Sequence, residues 1–220
     1  MSEMNIEQAR FNMIEQQIRP WEVLDQKVLS LIADVPREEF VPASYLNLAF
    51  ADMNVPIGYN EVMMSPKLEA RMLQALAIQP HESVLEIGTG TGYVTTLLAK
   101  LARYVYSVEI HEEFVVAAQS KLASDSTHNV TIEQGDAAQG WDRHAPYDVI
   151  AVTGSLPVLP TSFQESLSIG GRLFVIVGDT PVMEAKLITR VGEHEYQEEG
   201  LFETDIPPLR HALQPNRFKL

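Results

Sequence analysis

The segment at residues 84–93 constrains the fold more than any other part of the chain. It reads Val-Leu-Glu-Ile-Gly-Thr-Gly-Thr-Gly-Tyr, so a short apolar run leads into Gly88, Gly90 and Gly92 and then into a helical pattern. Glycine lets the backbone turn tightly and lets a ligand lie against the main chain. The helix that follows directs free N–H groups and the positive end of its dipole toward that ligand. We therefore predict a strand–turn–helix unit that binds a ligand.

From His81 onward, short apolar runs alternate with helical stripes, which is typical of βαβ units built around a parallel sheet. Seven runs have the length of strands, and the last two are expected to form a closing hairpin: residues 84–87, 104–109, 130–133, 147–152, 172–177, 186–191 and 201–205. The prediction is an α/β fold with a sheet of about seven mostly parallel strands.

The first eighty residues read mainly as helix and turn. Apolar residues recur at helical spacing over residues 6–14 and 24–32, with Pro20 between the two stretches. A third helix is expected to begin at Ser65–Pro66, with Ser65 as its N-cap, and to stop before Pro80. We expect a helical extension over residues 1–80 and a ligand-binding core over residues 81–220, packed as one compact unit.

Polar residues follow successive predicted strands. Glu109 ends the second strand, 109 − 88 = 21 residues after Gly88, and an acid about 20 residues beyond such a glycine is placed to accept hydrogen bonds from ribose hydroxyls. Asp136 follows the third strand, and Thr153 with Gly154 follows the fourth. The carboxyl ends of parallel strands share one edge of the sheet, so these residues are predicted to meet in one crevice.

Each of these acids also has a purely structural interpretation. Glu109 could be a solvated strand end, and Asp136 could stabilise a turn through its own side chain. Their coincidence with the glycine turn favours the binding interpretation. Asp148 lies at the start of a strand, away from the ligand edge, and is interpreted as structural.

The turn differs from a dinucleotide site. Such a site reads Gly-x-Gly-x-x-Gly/Ala, but Tyr93 occupies the small third position and Gly92 comes one residue early. Glu86, two residues before Gly88, would repel a diphosphate and favour a ligand with a cationic amine and no phosphate. S-adenosylmethionine is such a ligand, and a nicotinamide-dependent oxidoreductase is disfavoured.

The composition of the chain limits the kinds of partner and cofactor that we expect it to bind. The chain has a formal net charge of −14, which disfavours nucleic acid, and no apolar run approaches the roughly 18 residues that a membrane helix needs. It has no cysteine, and its six histidines show no metal-ligand spacing, so we expect no thiol chemistry and no metal site. The first residues lack the basic start of a secretory signal, and a cytoplasmic protein is the simplest expectation.

Several stretches together resemble the protein-L-isoaspartate O-methyltransferase family, most specifically Val-Pro-Arg-Glu-Glu-Phe-Val-Pro at residues 35–42. The others lie in the family's order at residues 56–59, 84–93, 106–109, 140–141, 145–150, 170–173 and 207–209. The resemblance implies a Rossmann-like methyltransferase fold with a seven-stranded sheet, helices on both faces and an N-terminal extension that helps form the substrate site. It also implies S-adenosylmethionine as cofactor, with its ribose at Glu109 and its adenine at Asp136. The implied cofactor-binding set is Glu86, Gly88, Thr89, Gly90, Gly92, Glu109, Ile110, Asp136, Ala137 and Thr153.

The loop before the third helix departs from the family pattern. The family typically reads Gln-Thr-Ile-Ser-x-Pro, and its serine touches cofactor and substrate, whereas this chain has Val62 and Met64 at the threonine and serine positions and Ser65 one place late. Val62, Met63, Met64 and Ser65 are the implied substrate residues. Methionine cannot donate a hydrogen bond to a carboxylate, and Ser65 is the one candidate for the serine's role.

The leading hypothesis is O-methylation of a peptide or small-molecule carboxylate, which needs no general base, so no catalytic acid or base is named. Two alternatives stay open. A methyltransferase of the same fold with a less polar acceptor is suggested by the apolar residues Val62, Met63 and Met64, and a non-catalytic protein that binds S-adenosylmethionine is suggested by Met64. The oligomeric state is left open.

Overall fold

Five parallel strands form the centre of the fold in this computed structural model, which describes residues 5–215. Residues 1–4, part of the segment assessed for a secretory signal, and residues 216–220 lie outside it. The main sheet has the order β5-β4-β3-β6-β7-β8-β9, with β8 and β9 antiparallel to their neighbours. Its strands are β3 (Ser83–Ile87), β4 (Tyr104–Glu109), β5 (Val130–Gln134), β6 (Tyr147–Leu156), β7 (Leu167–Asp179), β8 (Val182–Arg190) and β9 (Tyr196–Thr204). The predicted seven-stranded, mostly parallel sheet is confirmed.

Strand β3 is the point at which the strand order reverses. It pairs in parallel with β4 on one side and with β6 on the other, so Val84 faces both Val105 and Val149. The chain runs outward through β4 and β5 and then returns to β6. In an open parallel sheet, ligands bind at the carboxyl ends of the strands at this reversal, and Gly88 follows β3 directly at that edge.

Alternating side chains of the central strands pack into two hydrophobic clusters, one on each face of the sheet. Val84 belongs to a cluster that includes buried residues of the N-terminal helices, whereas Leu85 belongs to one that includes Phe163. The α-helices are α1 (Ile6–Met13), α2 (Gln26–Asp34), α3 (Pro66–Leu76), α4 (Tyr93–Leu101), α5 (Glu112–Ser124) and α6 (Thr161–Glu165). No helix within residues 5–215 is long and apolar enough to cross a membrane.

Local structure differs from the sequence prediction in two places. Residues 51–60, read as turn, contain a small antiparallel hairpin, β1 (Val55–Gly58) and β2 (Glu61–Met63). Tyr59 and Asn60 turn it with φ angles of 54° and 63°, as a tight two-residue hairpin requires. Ser65 stands at the N-cap position of α3, but its side chain makes no capping hydrogen bond. The N–H of Leu68, which such a cap would satisfy, donates instead to the Ser65 carbonyl over 3.0 Å.

Arg37 joins the N-terminal extension to the loop before α3. Its side chain is 1% exposed, its Nε donates to the Ala49 carbonyl over 2.8 Å, and its Nη2 donates to the Met64 carbonyl over 2.7 Å. Its Nη1 forms an ion pair with Glu69 of α3, and the guanidinium lies 5.0 Å from the centre of the Tyr93 ring. The Val-Pro-Arg motif therefore supplies a buried cation that holds three segments together.

Replacing Arg37 by methionine is expected to lower the free energy of unfolding by about 3–5 kcal/mol, because it leaves the buried carboxylate of Glu69 without its partner. The matched control is Arg19→Met, which removes a partly exposed ion pair with Glu15 and should cost about 1 kcal/mol or less. Urea denaturation followed by circular dichroism measures both. Equal, small losses would show that the buried pair contributes no special stability.

Candidate active site

A cavity with about 670 Å³ of empty space, including its open mouth, lies at the carboxyl edge of the sheet. Residues from the ends of β3, β4, β5 and β6 converge there, as predicted. Its floor and walls include Gly88, Gly90, Glu109, Ile110, Asp136, Ala137 and Thr153. The reversal of strand order opens this space because the helices after β3 and β6 leave the sheet on different sides.

The glycine turn brings main chain to the cavity where a side chain would not fit. Gly88 has a φ of 95°, and a Cβ atom there would lie 2.4 Å from Oγ1 of Thr153. That hydroxyl donates to the carbonyls of Ile87 and Gly88 over 2.9 and 2.8 Å. Thr153 thus fixes the end of β3. It lies within β6, which continues to Leu156 past the predicted end at Val152, with a register irregularity between Ala151 and Ser155.

Glu109 is held in place by main-chain donors. Its Oε2 accepts a hydrogen bond from the N–H of Gly90 and its Oε1 from the N–H of His111, each over 2.9 Å. The residue is buried, yet it lines the cavity. A carboxylate has about four lone-pair positions, so Glu109 retains the capacity to accept hydroxyl donors from a ligand.

Asp136 shows the turn-forming interaction and also faces the cavity. Its Oδ1 accepts from the N–H of Ala138 over 3.2 Å, and its Oδ2 lies 2.7 Å from Nδ1 of His211. The two interpretations of Asp136 are therefore compatible. Asp148, by contrast, accepts from Ser83 and Ser168 at the opposite end of the strands, as its structural interpretation requires.

The chain segment at residues 206–211 crosses the cavity mouth. The Leu209 N–H donates to the Ser155 carbonyl over 2.9 Å, which fixes the segment to β6. Arg210 pairs with Glu61 of the β1–β2 hairpin over 2.7 Å and also donates to the Tyr59 carbonyl. The hairpin and this C-terminal segment therefore enclose the cavity from opposite sides.

Glu86 lies beneath the glycine turn and outside the cavity lining. It is fully buried, and its Oε2 accepts from Oγ1 of Thr95 and Oγ of Ser107 over 2.6 and 2.5 Å, while its Oε1 has no hydrogen-bond partner within the described chain. Burial raises the pKa of Glu86 to about 8; the bonds from Ser107 and Thr95 oppose the rise and Glu109 adds to it. With no cation beside it, this carboxyl carries a proton at neutral pH.

A second, smaller cavity of about 300 Å³ adjoins the first. The two share the turn glycines Gly88 and Gly90, together with residues such as Thr153. Val62 also lines both, and the smaller one is lined in addition by Met63, Met64, Glu69, Thr89 and Tyr93. This part of the site is mainly apolar, with a single carboxylate.

The predicted residues thus fall into three groups. Most of the implied cofactor set lines the larger cavity, Thr89 lines the smaller one, and Glu86 and Gly92 support the turn from outside both linings. A Cβ atom at Gly92 would lie 3.1 Å from the Cβ of Ala118, so this glycine lets α4 approach α5. Of the predicted substrate residues, Val62, Met63 and Met64 line the smaller cavity, whereas Ser65 lines neither and its N–H donates to Asn54 over 3.0 Å.

Several cavity residues were not predicted. They come from the hairpin, the start of α5 and the C-terminal segment: Ile57, Glu61, His111, Phe114, Ile206, Pro207, Pro208, Leu209 and Arg210. The Pro-Pro-Leu run at residues 207–209 is one of the stretches on which the family resemblance rests. Its place beside the cavity could not be predicted, because it depends on contacts with residues far away in the sequence, such as Ser155. His111 lines the cavity, and its buried Nε2 has no hydrogen-bond partner among the described residues.

The raised pKa of Glu86 predicts a pH-dependent stability. The folded chain keeps a proton on Glu86 between its ordinary pKa of 4.5 and about 8, whereas the unfolded chain releases it, so the free energy of unfolding falls as the pH rises through this window. Glu86→Gln should remove part of this fall, giving a gain in stability over the unsubstituted protein that grows from pH 5 to pH 8. Urea denaturation across that range measures the difference. The exposed control Glu199→Gln should show no such growth, and a constant difference for Glu86→Gln would contradict the assignment.

Comparison with known proteins agrees with this geometry. The family model for protein-L-isoaspartate(D-aspartate) O-methyltransferase matches residues 8–209. A protein-L-isoaspartate O-methyltransferase of Synechococcus sp. is 41% identical over 172 residues, covering 78% of this chain and 70% of that protein. Protein-L-isoaspartate O-methyltransferase 2 of Pelobacter propionicus is 37% identical over 206 residues, covering 93% and 92%.

A solved structure has the same fold. It is described as a protein-L-isoaspartate O-methyltransferase of Plasmodium falciparum in complex with S-adenosyl-L-homocysteine, and it aligns with a TM-score of 0.79 at 19% identity, covering 94% of this chain and 99% of that one. The extent of the family match and the identity to its members establish that this chain belongs to the protein-L-isoaspartate(D-aspartate) O-methyltransferase family of S-adenosylmethionine-dependent methyltransferases.

Proposed function

We propose that this chain transfers a methyl group from S-adenosylmethionine to the free carboxylate of an isoaspartyl residue in a peptide or protein. The observation that carries the proposal is the junction of two cavities at Gly88 and Gly90. A methyl transferase needs a cofactor site and an acceptor site that meet at the methyl group, and the two cavities provide such a pair.

The larger cavity fits the cofactor. Glu109 offers carboxylate oxygens for the ribose hydroxyls, and Asp136 with Ala137 forms the region for the adenine. The missing Cβ at Gly88 leaves main chain open to the amino-acid end, and Nε2 of His111, which lies 3.7 Å from Oε1 of Glu61, is a further polar group beside the cavity. When bound, S-adenosylmethionine supplies a methyl group that its positive sulfur already activates.

The smaller cavity suits a carboxylate acceptor. Thr91, Tyr93 and Val94, at the start of α4, line it, and the N-terminus of a helix favours negative charge. Met63 and Met64 line it with apolar surface, which limits the access of water to the acceptor. The residues of this chain therefore orient and desolvate the acceptor, and none has to remove a proton from a group that is already ionised.

The cofactor assignment predicts that Gly88→Ala weakens binding of S-adenosylhomocysteine at least about tenfold, because the new methyl group would clash with Thr153 and reshape the turn. Gly170→Ala is the matched control: Gly170 also has a positive φ, of 84°, but an added Cβ there meets no atom within 4 Å. Both substitutions strain the backbone, and only the first alters the cavity. Isothermal titration calorimetry measures the affinity, and equal effects of the two substitutions would count against a cofactor at Gly88.

The acceptor assignment predicts methylation of an isoaspartyl peptide and not of the same peptide with a normal aspartyl linkage. The measurement is transfer of a radiolabelled methyl group to each peptide by the full chain. The variant Val62→Thr with Met64→Ser, which restores the family's hydroxyls, should retain this activity. Activity that appears only in the restored variant would show that the natural acceptor is a different, less polar one. Binding of S-adenosylhomocysteine without transfer to any acceptor would favour a non-catalytic protein.

A further inference from the structure

Glu69 is a buried carboxylate whose two oxygens have different surroundings. The residue is 1% exposed, and its Oε2 forms the ion pair with Arg37. Its Oε1 is equally buried but has no hydrogen-bond partner within the described chain. An unsatisfied buried oxygen costs roughly 1–3 kcal/mol, so a native chain that keeps one often has a use for it.

The ion pair with Arg37 favours the charged form of the Glu69 carboxyl group. Burial raises the pKa of Glu69 above its ordinary value, and the charge and hydrogen bond of Arg37 oppose that rise. A protonated Glu69 would leave the guanidinium as an uncompensated charge in the interior, which costs more than a buried ion pair. The free Oε1 is therefore a carboxylate oxygen that accepts hydrogen bonds.

The position of Glu69 indicates a contact with the methyl acceptor and not with the nucleoside part of the cofactor. Glu69 lines the smaller cavity beside Met64 and Tyr93, and it is absent from the lining of the larger one. Met64 supplies no hydrogen bond from its side chain at the place where the family has a serine. Glu69 is thus the carboxylate that the described residues offer to a group entering the smaller cavity, and Oε1 is its oxygen without a hydrogen-bond partner.

We propose that Oε1 of Glu69 accepts a hydrogen bond from the main-chain N–H of the isoaspartyl residue whose carboxylate is methylated. In an isoaspartyl residue this N–H and the free carboxylate are attached to the same carbon, so an acceptor seated in the smaller cavity presents both. Because the Arg37–Glu69 pair is neutral as a whole, it can bind the N–H without opposing the nearby carboxylate as a lone anion would. This inference rests on the function proposed above and makes Glu69 a residue that selects amide-bearing acceptors.

The test compares two peptides and three proteins. One peptide carries an isoaspartyl residue, and its analogue has an ester oxygen in place of that single N–H. The proteins are the full unsubstituted chain, Glu69→Gln, and the matched control Glu82→Gln. Glu82 is also a buried carboxylate paired with an arginine, Arg172, but it lies before β3, away from both cavities.

The unsubstituted protein is expected to methylate the N–H peptide with a kcat/KM about tenfold or more above that of the ester, as for a hydrogen bond to a charged group. Glu69→Gln should reduce this preference at least about threefold, because a neutral amide oxygen is a weaker acceptor. Glu82→Gln should keep the full preference. Binding of S-adenosylhomocysteine by Glu69→Gln should stay within about twofold of the original, since the lost interaction is with the acceptor.

Three results would overturn the inference, and they are distinguishable. Equal rates on the two peptides by the unsubstituted protein would remove Glu69 as an N–H acceptor while leaving the proposed function intact, and this arm does not depend on a variant that folds. Loss of S-adenosylhomocysteine binding in a Glu69→Gln protein that circular dichroism shows to be folded would assign Oε1 to the cofactor. Failure of the unsubstituted protein to methylate either peptide, although it binds S-adenosylhomocysteine, would overturn the proposed function and the inference with it.

Discussion

The buried guanidinium of Arg37 determines how the N-terminal extension meets the sheet. Through one side chain it binds the carbonyls of Ala49 and Met64 and the carboxylate of Glu69. The loop that ends in Met64 is thereby held where Val62, Met63 and Met64 line the smaller cavity. Arginine suits this role because its planar group presents five donors in fixed directions and stays charged when buried. The proposed acceptor side of the site is therefore formed in part by the extension and held in place by a buried ion pair.

The proposed cofactor side is built differently, from main-chain groups that are already hydrogen-bonded to side chains of the described residues. Glu109 accepts from the N–H groups of Gly90 and His111, and Thr153 donates to the carbonyls around Gly88. Beneath them, Glu86 is tied through Ser107, whose hydroxyl lies 2.6 Å from that of Thr89 in the turn. A turn with most of its polar groups already paired loses little conformational entropy on binding. Glu86, which precedes the turn in the sequence, thus supports the turn through this hydrogen-bond network.

The parts of the fold that sequence could predict were those set by local periodicity. The alternation of strands and helices after His81 and the glycine turn are local patterns, and the convergence of Glu109, Asp136 and Thr153 follows because parallel strands end at one edge. The β1–β2 hairpin was missed because Pro56 and Gly58, within its first strand, are residues that strands disfavour. Arg210 and His211 were missed for another reason: their contacts with Glu61 and Asp136 join residues far apart in the sequence. No local pattern encodes such contacts.

The net charge of the chain affects the proposed cofactor and the proposed acceptor in opposite ways. The formal net charge of −14 attracts a cofactor with a positive sulfur and repels a carboxylate. Charges separated by more than about 8 Å are largely screened at physiological salt, so the groups that line the smaller cavity matter more than the total. Among the described residues that line it, the only carboxylate, Glu69, is paired with Arg37, and the other side chains carry no charge. The ion pair that holds the extension on the sheet thus also keeps the proposed acceptor site locally neutral, which links the packing of this chain to the acceptor proposed for it.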